Sequence, residues 1–445
     1  MNLRSSLVKG TVLLTLSGMI SRLIGFFYRV FLSKAFGAEA IGLFQLTAPV
    51  LALSFSLTAA GLQTAISKYV AECDTAPEKK PHHVLFAGLG ISGVISLFCA
   101  VSIYTKADWL AQYFLHEPRC SVLLRILAFS LPLGSFHACF NGYFYGLKHT
   151  KIPALSQILE QLARVSSVFF LYSFYLKCDQ VPGIALTAVG SVAGEAASCF
   201  FSVFSWCWYL KKRKIFFTFS SFPVKTFSEY TGKLLWMSTP LVLTRIILNL
   251  LQSYEAIQIP LRLQQYGLTP TRALELYGIL TGMSLPLILF PNVLTGSVSV
   301  LLLPTISSAQ AAGNRAQITT ALRKCILYSL LIGMTATCFF LGSGRFLGTF
   351  LFHEPLAGTY ILALGFLCPF LYVSTTLTSI LHGLGRTTIS FLLHVSSMLI
   401  RLAFVYWGIP LWGIQGYLWG LLAGEIYCAG ACLLALRGFL YYNEP

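Results

Sequence analysis

A constant offset of 237 residues relates one half of this chain to the other. It carries Gly146, Leu147, Thr150, Ile152 and Arg164 onto Gly383, Leu384, Thr387, Ile389 and Arg401, each the same residue. Upstream it carries His116, Glu117 and Pro118 onto His353, Glu354 and Pro355, Pro132 onto Pro369, and Pro49 onto Pro286. A fixed offset held over such a length indicates duplication. The chain is therefore expected to fold as two copies of one unit, residues 1–222 and 223–445, joined through the segment 211–233.

Each copy belongs in a bilayer. Hydrophobic residues make up 56% of the chain and charged residues 10%, against about 25% charged in an ordinary soluble domain. Crossing ~30 Å of hydrocarbon takes about 20 apolar residues in a helix. Twelve such stretches begin near Thr11, Ile41, Val84, Val122, Ala154, Gly183, Leu234, Gly278, Cys325, Tyr360, Thr388 and Trp412. The expected fold is an all-α polytopic membrane protein of twelve helices in two six-helix lobes. An even number of crossings separates each stretch from its copy, so the lobes form a parallel repeat about a pseudo-two-fold axis normal to the membrane.

With the N-terminus inside, eighteen Lys and Arg, among them Lys79, Lys80, Lys148, Lys211, Lys212 and Arg213, fall at cytoplasmic ends, and seven at outer ends. The positive-inside rule then puts both termini in the cytoplasm and the protein in the cytoplasmic membrane. The net charge of +16 is scattered over short loops and forms no basic, aromatic-interleaved domain, which argues against nucleic-acid binding. The first residues imitate a signal peptide, but the apolar run continues past Gly18 without a cleavage site, as a retained first helix does. In the segment 211–233, basic residues can meet anionic headgroups while Phe216, Phe217, Phe219, Phe222 and Phe227 dip into the interface. The twelve cysteines have neither a CxxC pair nor zinc-like spacing and read as packing residues. Each His-Glu-Pro triplet reads as a helix start, with proline in the first turn and an acidic residue at the positive end of the dipole.

A charge at mid-bilayer costs at least ~2.5 to 3.5 kcal/mol and marks a functional candidate with a partner to be found. Arg164 and Arg401 on the fifth spans and Glu195 and Glu425 on the sixth lie near the midplane. The economical pairing is Arg164 with Glu195 or with its neighbour Glu160, and Arg401 with Glu425, serving structure or coupling. Arg125 lies near an outer end, where it can snorkel. On the first span Arg22 and Arg29 share a face with Thr11, Thr15, Gly18, Gly25 and Ser33, a polar stripe suited to a cavity or a partner helix. Arg245 occupies a similar depth on span seven, with Glu255 ten residues on. If the halves face each other across a central cavity, Arg22, Arg29, Arg245 and Glu255 are its candidate cargo-binding residues. Guanidinium groups at such spacing suit a diphosphate, which they bind bidentately. Alternatively Arg29 and Glu255 snorkel or pair.

The segments GYFYG (142–146), PALSQ (153–157) and EQLAR (160–164) resemble the signature of the stage V sporulation protein B family of polysaccharide and peptidoglycan-precursor exporters. SRLIGFFYRVFLSKAFGAEAIGLFQL near the start, IPLRLQQYG after span seven and LLLPTISSAQAAGN extend the resemblance over nearly the whole chain. The superfamily also contains multidrug and toxic compound extrusion proteins, oligosaccharide flippases and lipid II flippases. Resemblance implies two six-helix lobes in a V, alternating access, and a cargo linked to undecaprenyl diphosphate. The match to lipid II flippases is partial. Arg22 in SRLIG falls where they place a cavity arginine, but their next one aligns with Tyr28, and other cavity positions hold Leu53 and the region of Leu285 and Pro286.

The leading expectation is thus a flippase for a lipid-linked saccharide diphosphate, without catalytic residues, bound metal or cofactor, and with Na+ or H+ left open as coupling ion. A cation-coupled multidrug exporter is the alternative, with Glu255 and Glu160 as candidate cation sites. A membrane-embedded polysaccharide polymerase or ligase fits less well, because the outer loops are short and hold no acid-base or nucleophile constellation.

Overall fold

The structure, a computed structural model, describes residues 3–74, 80–213, 224–292, 295, 306, 312 and 315–442. Regular structure among them is helical throughout. In chain order the helices are α1 (Leu3–Phe55), α2 (Gly61–Asp74), α3 (Pro81–Thr105), α4 (Ala107–Trp109), α5 (Cys120–Ala128), α6 (Ser130–Gly146), α7 (Lys151–Lys177), α8 (Ala185–Lys212), α9 (Val224–Gln265), α10 (Pro270–Gly278) and α11 (Leu285–Leu289). They continue as α12 (Arg315–Phe352), α13 (Pro355–Gly365), α14 (Cys368–Gly383), α15 (Thr387–Ala403), α16 (Ile409–Trp412) and α17 (Ile414–Tyr442). Short π-helical turns interrupt the path at Ser56–Ala60, Leu110–Phe114, Ile279–Ser284 and Phe404–Gly408.

Local chemistry sets the helix ends. Proline opens α3, α10 and α13, where its missing N–H costs nothing. The long α1 breaks at Gly37, whose φ of 79° only glycine adopts freely. Among the described residues eight helical stretches are long and apolar enough to cross a bilayer, ten when each bent pair counts as one span. The 62-residue stretch Val12–Cys73 contains the break at Gly37. The 27-residue α7 is less apolar because it carries Glu160, Gln161 and Arg164.

The chain forms two compact units, residues 1–28 with 46–250, and 29–45 with 251–445. In the first, Leu62, Ile66, Val70, Leu85, Tyr143 and Phe144 form the centre of a buried cluster. In the second, Leu322, Leu377, Ile380, Leu381 and Cys432 do the same. Outward faces are apolar: Trp236 is 85% exposed, and only 11% of the most apolar window of α9 is buried. Lipid, not water, is the solvent such surfaces require.

The duplication is visible in the backbone. His116 and His353 both take positive φ, 55° and 57°, as do Lys148 and Gly385, 61° and 72°. The α5–α6 pair bends by 41° and the α13–α14 pair by 57°, at residues that the same offset superposes. Side-chain packing repeats too. A Cβ placed at Gly190 or Gly194 of α8 would lie 3.1 Å from the Arg164 carbonyl oxygen or 2.9 Å from that of Glu160. One placed at Gly424 of α17 would lie 2.8 Å from Arg401 Cγ, and one at Gly420 would lie 2.6 Å from Phe404 Cβ. Small residues four apart let the fifth and sixth helices of each copy approach closely.

Several sequence expectations change here. Arg125 does not snorkel alone: its Nη2 lies 2.5 Å from Asp108 Oδ2. Phe227, expected in the membrane interface, packs on the cluster of the first unit, its Cζ 3.0 Å from where a Cβ on Gly90 would be. Phe216, Phe217, Phe219 and Phe222 lie outside the described residues. Pro355 opens α13, but the Glu354 side chain makes no capping hydrogen bond. In the other triplet Glu117 is held by Arg119, through Nε at 2.8 Å and Nη2 at 3.1 Å. Cys178, Cys207 and Cys338 are exposed rather than packed, while eight other cysteines are buried.

Candidate functional site

On α1 the side chains divide into three sectors, as ~100° of turn per residue dictates. Ser17, Ser21 and Tyr28 are buried, and Val12, Leu16, Ile20, Leu23 and Phe27 form an exposed apolar face. The third sector holds Thr15, Gly18, Arg22 and Gly25. Arg22 is exposed and has no ion-pair partner among the described residues. One turn on, a Cβ at Gly25 would lie 3.1 Å from Gln161 Nε2 of α7, whereas Gly18 faces open space. Arg22 therefore stands at the edge where this sector leaves the bundle.

Arg245 belongs to the same unit. Its neighbours on one face of α9, Ser238, Val242 and Asn249, pack on the second span. A Cβ at Gly61 would lie 2.5 Å from Val242 Cγ2, and Asn249 Nδ2 donates to the Ala52 carbonyl at 3.3 Å and to Ser56 Oγ. Arg245, one turn from both Val242 and Asn249, thus lies beside the π-helical turn Ser56–Ala60. It is exposed and also has no ion-pair partner among the described residues. Arg29 belongs to the second unit and is half-buried.

The first unit buries a polar cluster that the sequence did not single out in full. Arg164 Nη2 pairs with Glu160 Oε1 at 2.5 Å, the i,i+4 alternative of the two pairings expected. Glu195 instead lies against His137, Oε2 to Nδ1 3.7 Å. His137 Nε2 lies 2.7 Å from Ser156 Oγ and 2.9 Å from Asn141 Nδ2, and Nδ1 lies 3.2 Å from Ser198 Oγ. His137, Glu160 and Glu195 offer ligand atoms within 4.8 Å of one another. Arg164 already occupies Glu160, however, so a divalent ion there would sit beside a fixed positive charge. The missed signal was His137 itself, one turn before Asn141 in the segment that leads into GYFYG.

In the second unit the expected Arg401–Glu425 pair is not formed. Arg401 binds Glu255, Nε at 2.9 Å and Nη2 at 2.7 Å from the same Oε1, and the Tyr417 hydroxyl donates to that oxygen at 2.9 Å. Glu255 is 3% exposed. Glu255, expected to line a cavity, is thus the buried partner of Arg401, because the ion pair and the tyrosine compensate its desolvation. Glu425 accepts a hydrogen bond from Ser374, 2.7 Å. Ser374 is the offset equivalent of His137, so in each copy the fourth-span residue at this position meets the sixth-span glutamate.

A family model described as polysaccharide biosynthesis protein matches residues 7–310. Stage V sporulation protein B of Bacillus subtilis (strain 168) is 31% identical over 331 residues, 73% of this chain but 63% of that protein's length. The lipid II flippase MurJ of the same organism is 26% identical over 195 residues, 42% of this chain and 36% of that one. Among solved structures, the inward-facing conformation of a multidrug resistance MATE family transporter of the MOP superfamily aligns with a TM-score of 0.74 and 17% identity over 95% of each chain, a likeness of fold alone. The chain is a helical membrane protein with the MATE fold and belongs to the polysaccharide biosynthesis protein family.

Proposed function

We propose that this protein is a transporter rather than an enzyme. It moves a lipid-linked saccharide diphosphate, undecaprenyl diphosphate being the expected carrier, across the cytoplasmic membrane by alternating access. In this reading the chain crosses the membrane twelve times, six times in each of the repeats 1–222 and 223–445, with both termini in the cytoplasm and the segment 211–233 on anionic lipid. The observation that carries the cargo assignment is that Arg22 and Arg245, on membrane-crossing helices of one unit, are both exposed and unpaired among the described residues. A guanidinium without a counter-ion on such a helix needs water or a mobile anion within reach, and a diphosphate that reaches it is an anion it can bind bidentately. Glu255 drops out of the cargo site because Arg401 holds it.

The test is flipping of fluorescently labelled undecaprenyl-diphosphate saccharide in proteoliposomes. The Arg22→Ala, Arg245→Ala double variant is expected to lose at least about tenfold in rate, on the order of one charge-assisted contact. Unchanged flipping by the double variant would refute the cargo site. Drug efflux by the wild type without flipping would favour a multidrug exporter instead.

A further inference from the structure

We propose that Tyr254, Gln258, Arg262 and Tyr406 form a saccharide subsite in the second unit, one that takes a pyranose ring bearing a carboxylate. Its place in transport rests on the flippase reading, whereas its binding chemistry does not.

On α9, Tyr254, Gln258 and Arg262 follow one another at intervals of four residues, so their side chains form one row toward the C-terminal end of the helix. Tyr406 reaches this row from the π-helical turn Phe404–Gly408 that follows α15. Its ring stacks on that of Tyr254, centroids 6.1 Å apart and planes 25° from parallel, and the two hydroxyls are hydrogen-bonded. The Arg262 guanidinium lies over the Tyr406 ring, Cζ 3.9 Å from its centroid. The nearby Glu255 is taken by Arg401, which leaves the row without an acid of its own.

Polar capacity is left over at each member. One O–H suffices for the tyrosine pair, so the second hydroxyl hydrogen and further lone pairs remain, and Tyr254 is 46% exposed. Gln258 is half-buried, and its amide has no hydrogen-bond partner among the described residues. Arg262 Nη1 donates to Gln265 Oε1 at 2.8 Å, but Nε is buried and unpartnered, and no carboxylate pairs with this arginine among the described residues. On a membrane-crossing helix such groups need water or a polar ligand within reach.

Their combination selects the ligand. Stacked phenol rings offer a flat apolar surface for the C–H face of a pyranose, and the amide and hydroxyls beside them are donors and acceptors for its hydroxyl groups. Contact with the Tyr406 ring uses the charge of Arg262 rather than its N–H groups, so the guanidinium can still grip a carboxylate through two parallel hydrogen bonds. A bare anion would leave the rings and the amide unused.

The duplication shows that the scaffold does not require these residues. In the first copy α7 runs unbroken to Lys177, and the 237-residue offset sets Phe169, without a hydroxyl, where the second copy has Tyr406. The π-helical turn is thus particular to the second copy, and such turns recur at functional sites because they re-aim the side chains around them. The end of α9 is fixed as well. A Cβ at Gly413, whose φ is 60°, would lie 3.1 Å from Tyr266 Cε1, so the turn between α16 and α17 rests on that ring, one turn from Arg262.

The experiment is a saturation-transfer NMR titration of the full-length protein in nanodiscs of zwitterionic lipid, with methyl β-glucuronide as probe and methyl β-glucoside and acetate as controls. The glucuronide is expected to bind at least about tenfold more tightly than the glucoside, and acetate at equal concentration not to displace it. Arg262→Gln is expected to erase that preference while leaving the glucoside affinity unchanged, and Tyr406→Ala to weaken both sugars at least about fivefold. Tyr254→Phe, which keeps the ring and loses the hydroxyl, is expected to weaken both about threefold, and keeps the test decisive should the alanine variant fail to fold. No saturable binding of the glucuronide, equal affinity for the two glycosides, or a preference that survives Arg262→Gln would each overturn the proposal. So would loss of binding when phosphatidylglycerol replaces the zwitterionic lipid, which would make Arg262 a headgroup contact. Neither glycoside carries a lipid, so failure here strikes the subsite alone, and failure of flipping with sugar binding intact strikes the flippase reading alone.

Discussion

At the residue scale the buried charges are unequal, and their burial ranks them. Glu255 at 3% exposure is tied to both Arg401 and Tyr417. Removing one partner strands the other, so Arg401→Ala is expected to cost about 3–5 kcal/mol. A joint Arg401→Met, Glu255→Leu change is expected to recover most of that loss. Reversible unfolding in mixed micelles measures both, and equal losses in the single and joint variants would contradict the pairing. At the residue that precedes α13, burial first and then the charge of Glu275 raise the Glu354 carboxyl above its ordinary value, against the pull of Arg272. A raised acid favours the folded state only while protonated, so its contribution fades as pH rises from the unfolded value through the folded one. Glu354→Gln is therefore expected to melt higher than wild type at pH 7 and level with it near pH 4, where a reversed order would show the carboxylate to be stabilised. Of these partnerships only Glu160 with Arg164 was legible, because i,i+4 spacing is a local fact of helices. Glu255 and Arg401 are 146 residues apart, and no periodicity encodes which of two buried glutamates a distant arginine reaches.

At the element scale, the duplicated glycines of α8 and α17 decide how closely each sixth helix meets its fifth. Gly194→Leu is expected to disrupt the α7–α8 contact and the Glu160–Arg164 pair beneath it, lowering the yield of folded protein severalfold. Phe200→Leu, on the exposed face of α8, is expected to change stability by no more than about 0.5 kcal/mol. Size-exclusion yield and melting temperature distinguish the two, and a well-folded Gly194→Leu protein would contradict the close approach. These helices also show where the sequence repeat stops being simple. The 237-residue offset holds through Arg164 and Arg401 but falls to 230 between Gly194 and Gly424, because the second copy is seven residues shorter between its fifth and sixth helices. Alignment by the constant offset puts Glu195 on Cys432, whereas packing matches it with Glu425. The bends at Phe129 and Phe366 lie one turn before Pro132 and Pro369, whose missing N–H and ring open the preceding turn and mark them in the sequence, whereas the break at Gly37 was hidden, since the segment keeps the hydropathy of a continuous helix.

At the scale of the whole molecule, composition and duplication left little freedom: a chain with 56% hydrophobic residues and two copies of one pattern had to become a helical membrane protein. The proposed cargo site was less legible, because an arginine tied to a glutamate and one left exposed look alike in sequence. Exposure separates them here, placing Arg401 and Arg164 with partners and leaving Arg22 and Arg245 without one among the described residues. The most direct measurement of that distinction is thiol accessibility. Single cysteines at positions 22 and 245, in a background without native cysteines, are to be labelled with a membrane-impermeant maleimide from each side of oriented vesicles. Labelling at both positions, slowed by undecaprenyl-diphosphate saccharide and not by undecaprenol, is the expected result. Positions that stay unreactive from both sides, or react equally with and without the diphosphate, would contradict a cargo site at Arg22 and Arg245.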